Sequence, residues 1–260
     1  MAKKSYEISA FESEMIKPKE LIQIRGSGPL TLQDRRTFNL LLDNAWGKKI
    51  VQRGEEFEIT TISLKDTEQN NQRLRLSLRR LMTTLIVVQK ETGDEVVTQL
   101  LGSVRIKKSG VLRYSFPNEL SEVLEDSSVF AKLDIEVMKS FRSKYAFALY
   151  EAIARRIRLS HIHNENLSIE EVRELLGVDA GKLTNYRNLR MKAIEPAIEE
   201  VNSITPFNVQ LLPVKSGRKV TGFKMFWHQK TVDEQKEAYA KRQKHTINRQ
   251  SDSTETIVED

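Results

Sequence analysis

Cysteine is absent from all 260 residues. That absence removes disulfide scaffolds, thiolate zinc or iron–sulfur sites and thiol nucleophiles together. Histidine is scarce, with four residues, so little material remains for metal ligation. Long hydrophobic runs are missing too. The longest strongly apolar stretch, Leu85-Ile86-Val87-Val88, falls far short of the ~18–20 residues needed to cross a bilayer. Met1-Ala2-Lys3-Lys4-Ser5-Tyr6-Glu7 starts basic but has no apolar stretch behind it, so it does not read as a secretory signal. A soluble cytoplasmic protein with no membrane partner is the expectation. No Gly-x-x-x-x-Gly-Lys-Ser/Thr occurs, and Gly26-x-Gly28 lacks a third glycine at the required spacing. The chain therefore offers no P-loop for ATP hydrolysis. No cofactor, metal or catalytic residue is expected, and the chain is not read as an enzyme.

What is present is length and positive charge. The chain exceeds one typical domain of ~100–200 residues, which predicts two. Lysine plus arginine number 42 against 36 acids, a net charge of +6. That balance favours an anionic partner without specifying a fold.

Residues 1–29 mix charge with scattered apolar positions and end in Gly26-Ser27-Gly28-Pro29, which predicts a flexible arm. Thr31-x-x-Asp34 then opens Phe38, Leu40, Leu41, Leu42, Ala45 and Trp46, spacings that fit an amphipathic helix ending near Gly47. A second helix follows over 69–82, with Leu74, Leu78, Leu81 and Leu85 spaced by 4, 3 and 4. Strands are predicted at 86–88, 96–98, 103–106 and 111–116, with Lys107-Lys108-Ser109-Gly110 turning between the last two. A short helix at 118–124 closes a first domain over 30–126.

A second domain is predicted over 132–245. Phe141 to Ile157 reads as one long helix. Ser168-x-x-Glu171 is a capping box whose helix stops at Gly177, and 182–204 is a third helical segment with Pro196 as a kink or break. Strands at 207–212 and 220–227 flank Lys215-Ser216-Gly217-Arg218. A final helix from Thr231 reaches about Lys244, and 246–260 is read as a disordered acidic tail. Both halves thus run helix, short helix, long helix, hairpin, and both hairpins carry Lys-Ser-Gly. The fold class is α+β: two tandem winged helix-turn-helix domains, in which a helix enters the major groove and the wing touches backbone or minor groove.

Charge falls where such domains meet DNA. Lys182, Arg187, Arg190 and Lys192 lie in one helical stretch without an acid until Glu195, flanked by Asn185 and Asn188. At 100° per residue, Thr184, Asn185, Asn188 and Lys192 lie opposite the apolar stripe, and Arg187 and Arg190 nearer its flanks. These are residue types that read bases and hold phosphates. The first half repeats the theme with Arg73, Arg75, Arg79 and Arg80. Its wing carries Lys107 and Lys108 beside Arg105 and Arg113, and the second wing carries Lys215, Arg218 and Lys219. A solvated face explains any one basic run; four at four DNA-facing positions argue for double-stranded DNA as partner. His161-Ile162-His163 matches a metal-nuclease signature but sits before Asn164-Glu165-Asn166, so a polar loop is preferred. Tyr186, the nucleophile such an enzyme would need, lies on the apolar stripe.

The second half also resembles the plasmid replication initiators that bind iterons, the direct repeats of theta-replicating origins. The resemblance runs through residues 143–151, 167–177 and 194–202 and the Gly217-Arg218-Lys219-Val220 turn into Phe223 and Phe226. The first half is similar more loosely, through 40–46, 74–81 and the following hairpin. The resemblance implies an iteron-binding second domain, and a first domain that contacts DNA and contributes to a homodimer in equilibrium with monomer. It further implies origin opening, loading of the host initiator and replicative helicase, and repression of the protein's own gene by the dimer. A winged-helix transcriptional regulator remains the alternative.

Overall fold

The computed structural model describes residues 14–47, 54–64, 71–90, 92–159 and 161–255, with side chains as far as residue 243. The chain divides into two compact units, 1–132 and 133–260. The first contains β1 (Glu14–Pro18), α1 (Lys19–Ile22), α2 (Leu32–Ala45), β2 (Glu56–Thr60), α3 (Thr61–Leu64) and α4 (Asn71–Thr83). A two-stranded ribbon, β3 (Ile86–Gln89) and β4 (Glu95–Thr98), precedes the hairpin β5 (Val104–Ile106) and β6 (Val111–Ser115). Helix α5 (Asn118–Asp126) and strand β7 (Phe130–Asp134) lead to the unit boundary.

Helix α2 starts where its capping box dictates: Asp34 N–H donates to Thr31 Oγ1 at 3.2 Å, and Thr31 N–H donates to the Asp34 carboxylate at 2.8 Å. Phe38, Leu41, Leu42 and Ala45 are buried along its inner face. They meet a ring cluster of Phe57, Tyr114 and Phe116 with centroids 5.6–5.9 Å apart. The Tyr114 hydroxyl donates to Leu41 O at 2.6 Å, and burial pushes the phenol up to about 12.

The expected arm needs correction. Residues 14–29 are folded into the unit; residues 1–13 lie outside the described residues. Met15, Ile16, Leu21 and Ile24 are buried, β1 pairs with β7, and Arg25 exchanges two backbone hydrogen bonds of 3.0 Å with Val87. The charges that made the segment look solvated are accommodated. Lys17 Nζ, for one, donates to Asn39 Oδ1 at 3.0 Å. The inward apolar positions therefore decide its placement.

The second unit contains α6 (Ile135–Ser140), α7 (Lys144–Arg156), β8 (Asn164–Ser168), α8 (Ile169–Leu176), α9 (Tyr186–Leu189), α10 (Glu195–Ile204), β9 (Phe207–Ser216), β10 (Lys219–Gln229) and α11 (Val232–Glu255). The long helix expected over 141–157 is α7, which starts only at Lys144. Phe141 adopts extended backbone, and Ser143 Oγ accepts from Tyr145 N and Ala146 N to start α7 afresh. Asn164-Glu165-Asn166, read as loop, is strand β8 against Met225, Lys224 and Phe226 of β10. Its polar side chains concealed a strand stabilised by backbone pairing and by Arg156, whose Nε donates to Glu165 at 2.6 Å. The tail expected to be disordered is helical through Glu255 as a continuation of α11, and 256–260 lie outside the described residues.

The repeat is carried by topology. The antiparallel sheets run β2-β6-β5 and β8-β10-β9, so each unit places its first strand, last strand and middle strand in the same order. The shared Lys-Ser-Gly tripeptide does not carry it. Gly110 (φ 80°) closes a turn in which its N–H donates to Lys107 O, whereas Gly217 (φ 60°) opens a two-residue turn between paired Ser216 and Lys219. A positive φ at the first central residue alone is the geometry that calls for glycine there.

Candidate nucleic-acid interface

In the second unit, α8 ends on Gly177 in the left-handed region, and the chain turns through 178–185 before α9. The helical segment therefore starts at Tyr186 and not at Lys182. Asn185 caps it, its Oδ1 accepting from Arg187 N at 2.8 Å. Lys182 and Thr184 stand on the preceding turn. Leu189 is the buried anchor, and Tyr186 stacks on Phe223 with centroids 6.2 Å apart, so Tyr186 belongs to the packing.

Between α9 and α10 the backbone forms a π turn over Arg190–Ile194, in which Glu195 N–H donates to Arg190 O. Pro196 explains it. Proline has no N–H to give Lys192 O, and its ring crowds the carbonyl four residues back, so the ladder widens. The widening shifts the rotational phase of what precedes it. Lys182, Thr184, Asn185, Arg187, Asn188, Arg190 and Lys192 are all exposed, Arg187 and Arg190 included. Arg190 Nε lies 3.1 Å from Glu195 Oε1.

The second wing projects far. From Leu212 to Lys219 every residue is exposed, which brings Lys215, Arg218 and Lys219 together at the tip. Gly222 lets β10 pass β8 closely, since a Cβ there would stand 2.6 Å from Leu167 O.

The first unit differs in its charges. Arg73, Arg75 and Arg79 are exposed on α4, but Arg80, placed with them by sequence, turns inward. Its Nε and Nη2 donate to Asp34 at 2.6 and 2.9 Å. Asp34 is fully buried, and an unpaired carboxylate there would be costly, so Arg80 is corrected from the interface to the core edge. In the wing, Lys107 Nζ reaches Glu58 at 2.7 Å, and Arg113 grips Glu58 and Glu56 at 2.8 and 3.3 Å. Lys107, then Arg113, hold the Glu58 carboxyl below the usual carboxylate range. Lys108 is exposed at the tip. A cavity of about 480 Å³ separates this tip from the start of α4, lined by Ile62, Asn71, Arg75, Lys107 and Lys108 among others. The partners Asp34, Glu56 and Glu58 escaped sequence reading because they lie 46–57 residues from the cations they hold.

His161 is exposed and His163 precedes β8, its carbonyl accepting from Trp227 N at 3.1 Å. Among the described residues no group of three or more His, Asp or Glu is arranged for a metal ion, and no helix is long and apolar enough to cross a membrane.

Two units of one sheet order, each with an exposed basic helix and a basic hairpin tip, define a tandem winged-helix protein. The chain belongs to the initiator replication protein family: the family model described as "Initiator Replication protein, WH1" matches residues 14–154, and "Initiator Rep protein, WH2" matches 168–227. The fold is shared with the structure entitled "Crystal structure of Pi initiator protein in complex with iteron DNA", at 17% identity and a TM-score of 0.63, over 84% of this chain and 98% of that one. The WH1 domain of MSBI1.176, a replication protein isolated from a multiple sclerosis patient, aligns at 14% identity and a TM-score of 0.29, over 41% of this chain and 87% of that one. No curated protein matches the chain in sequence.

Proposed function

We propose that the chain initiates plasmid replication by binding direct repeats, iterons, at the origin. The second domain is the principal reading head, and the first adds DNA contacts and a dimerisation surface. The observation that carries this reading is the exposure of Lys182, Thr184, Asn185, Arg187, Asn188, Arg190 and Lys192, in the same domain as a wing tipped by Lys215, Arg218 and Lys219. Arginine and asparagine pair bidentately with guanine and adenine in the major groove, while wing lysines suit phosphates. Arg73, Arg75, Arg79 and Lys108 form the lesser footprint of the first domain. Binding in the cytoplasm by monomers opens an adjacent AT-rich segment and brings in the host initiator and replicative helicase; the dimer represses the protein's own gene.

The test is a DNA footprint across the region flanking the gene, at physiological salt, where non-specific basic binding is weakened by counterions. Protection in phase over several direct repeats of about 20 base pairs is the expected result. Protection of a lone inverted repeat would instead identify a dimeric transcriptional regulator.

A further inference from the structure

We propose that Arg173 is a positioning residue for DNA binding: it clamps the turn ahead of α9 and so aims the recognition segment without touching DNA. The inference rests on the proposed role of that segment. Helix α8 and α9 are joined by a turn in which Leu183 has φ 49°, the one non-glycine residue with positive φ among the described residues. That backbone is disfavoured for any side chain with a Cβ and persists only where surrounding contacts over-determine it.

Arg173 supplies those contacts. Its Nη1 donates to Leu183 O at 2.8 Å and its Nη2 to Lys182 O at 2.5 Å, two successive carbonyls bridged by one planar fork. Its own carbonyl accepts from Val178 N at 2.9 Å, so one residue ties both ends of the turn. The clamped carbonyls belong to Lys182 and Leu183, and Lys182, Thr184 and Asn185 present exposed side chains there. Asn185 then starts α9. A turn released from Arg173 leaves the helix seated by Leu189 but lets its entry, with the side chains proposed to read DNA, swing. Two of the five guanidinium N–H donors are thus committed to protein carbonyls, and the salt dependence below separates this role from that of a phosphate ligand.

The experiment measures fluorescence anisotropy of the full chain with a labelled duplex carrying the protected repeats, over a range of salt. Arg173→Ala is expected to lose on the order of tenfold in affinity, the size of an orienting contact behind a binding group, with the salt slope unchanged. Arg173→Lys restores little, because an ammonium is no fork. Arg173→Ala combined with Leu183→Gly regains most of the loss, because glycine accepts the left-handed backbone unaided. A slope reduced by about one, binding retained by lysine and no rescue by glycine would overturn the proposal and make Arg173 a phosphate contact. An arm without DNA keeps the two readings apart. Backbone amide NMR signals of 182–187 should move in Arg173→Ala while those of β10 stay, and unmoved signals would sink the clamp. Failure of the unaltered chain to bind the duplex would sink the DNA-binding reading, leaving the clamp to be judged by these amides. If Arg173→Ala does not fold, Arg173→Lys carries the amide comparison.

Discussion

Arg80 and Asp34, 46 residues apart, form a two-point pair of 2.6 and 2.9 Å that also secures the capping box of α2, since Asp34 accepts from Thr31 N as well. One carboxylate thus joins the start of α2 to the last turn of α4. Replacing Arg80 strands a buried charge. Arg80→Ala should cost on the order of 2–3 kcal/mol, less than the ~3–5 of a fully buried pair because the arginine side chain is 37% exposed. Arg79→Ala, one residue earlier on the open face, should fall within about 0.5 kcal/mol of the parent. Urea unfolding of both variants checks this; equal losses would refute the assignment.

Arg190 and Lys215 should separate in kind. Arg190→Ala is expected to cost about 1–3 kcal/mol of binding and to relax base preference at one position. Lys215→Ala should weaken all duplexes alike and lower the salt slope by about one. Glu195→Gln, which frees Arg190 from its partner, should strengthen binding modestly. Titrations with repeat and scrambled duplexes at several salt concentrations would show it, and identical profiles for Arg190→Ala and Lys215→Ala would count against the division.

Pro196→Ala supplies the missing N–H opposite Lys192 O and permits a regular α-helix through the π turn. Thermal stability should hold or rise, while affinity for the repeat falls because Arg187, Asn188 and Arg190 rotate relative to the domain. Stability raised with affinity unchanged would show that the π turn has no part in recognition.

Acid should loosen helix starts. Backbone and side-chain hydrogen bonds from Ser168 hold the Glu171 carboxyl below 4.5, and Thr231 acts likewise on Glu234. A folded pKa below the unfolded value means the contribution is complete above about pH 4.5 and is lost as pH falls through the folded pKa. Glu171→Gln keeps an acceptor at the cap, so its melting temperature should fall less steeply below pH 4.5 than the parent's. Calorimetry between pH 3 and 7 would decide; parallel curves would reject the cap as a source of the acid response.

Local chemistry was legible in the sequence, and long-range partnership was not. Thr31-Asp34 and Ser168-Glu171 announced two helix starts because each box closes within four residues. The apolar periods of α2, α4 and α8 were plain, as were the hairpin turns. Strand β8 was hidden because Asn164-Glu165-Asn166 contributes backbone pairing and little apolar surface. The late start of α7 was hidden because Phe141, which lies before it, keeps the apolar period of Tyr145 and Leu149. At the interface, the exposure of the polar residues between Lys182 and Lys192 followed from composition, but the π turn over Arg190–Ile194 is something a 100° wheel does not contain. Arg80 shared its neighbours' charge and not their role, since only the fold brings Asp34 beneath it.

The bridge between Arg25 and Val87, with β1 against β7, has a practical side. A shortened gene beginning at the Gly26–Pro29 stretch, which looks like a natural starting point, would delete Met15, Ile16, Leu21 and Ile24 from the core and strip one flank from β3. Its product would carry open strand edges beside uncovered apolar surface, the combination that drives chains to associate edge to edge. Material prepared for crystallisation or binding work should begin no later than Glu14.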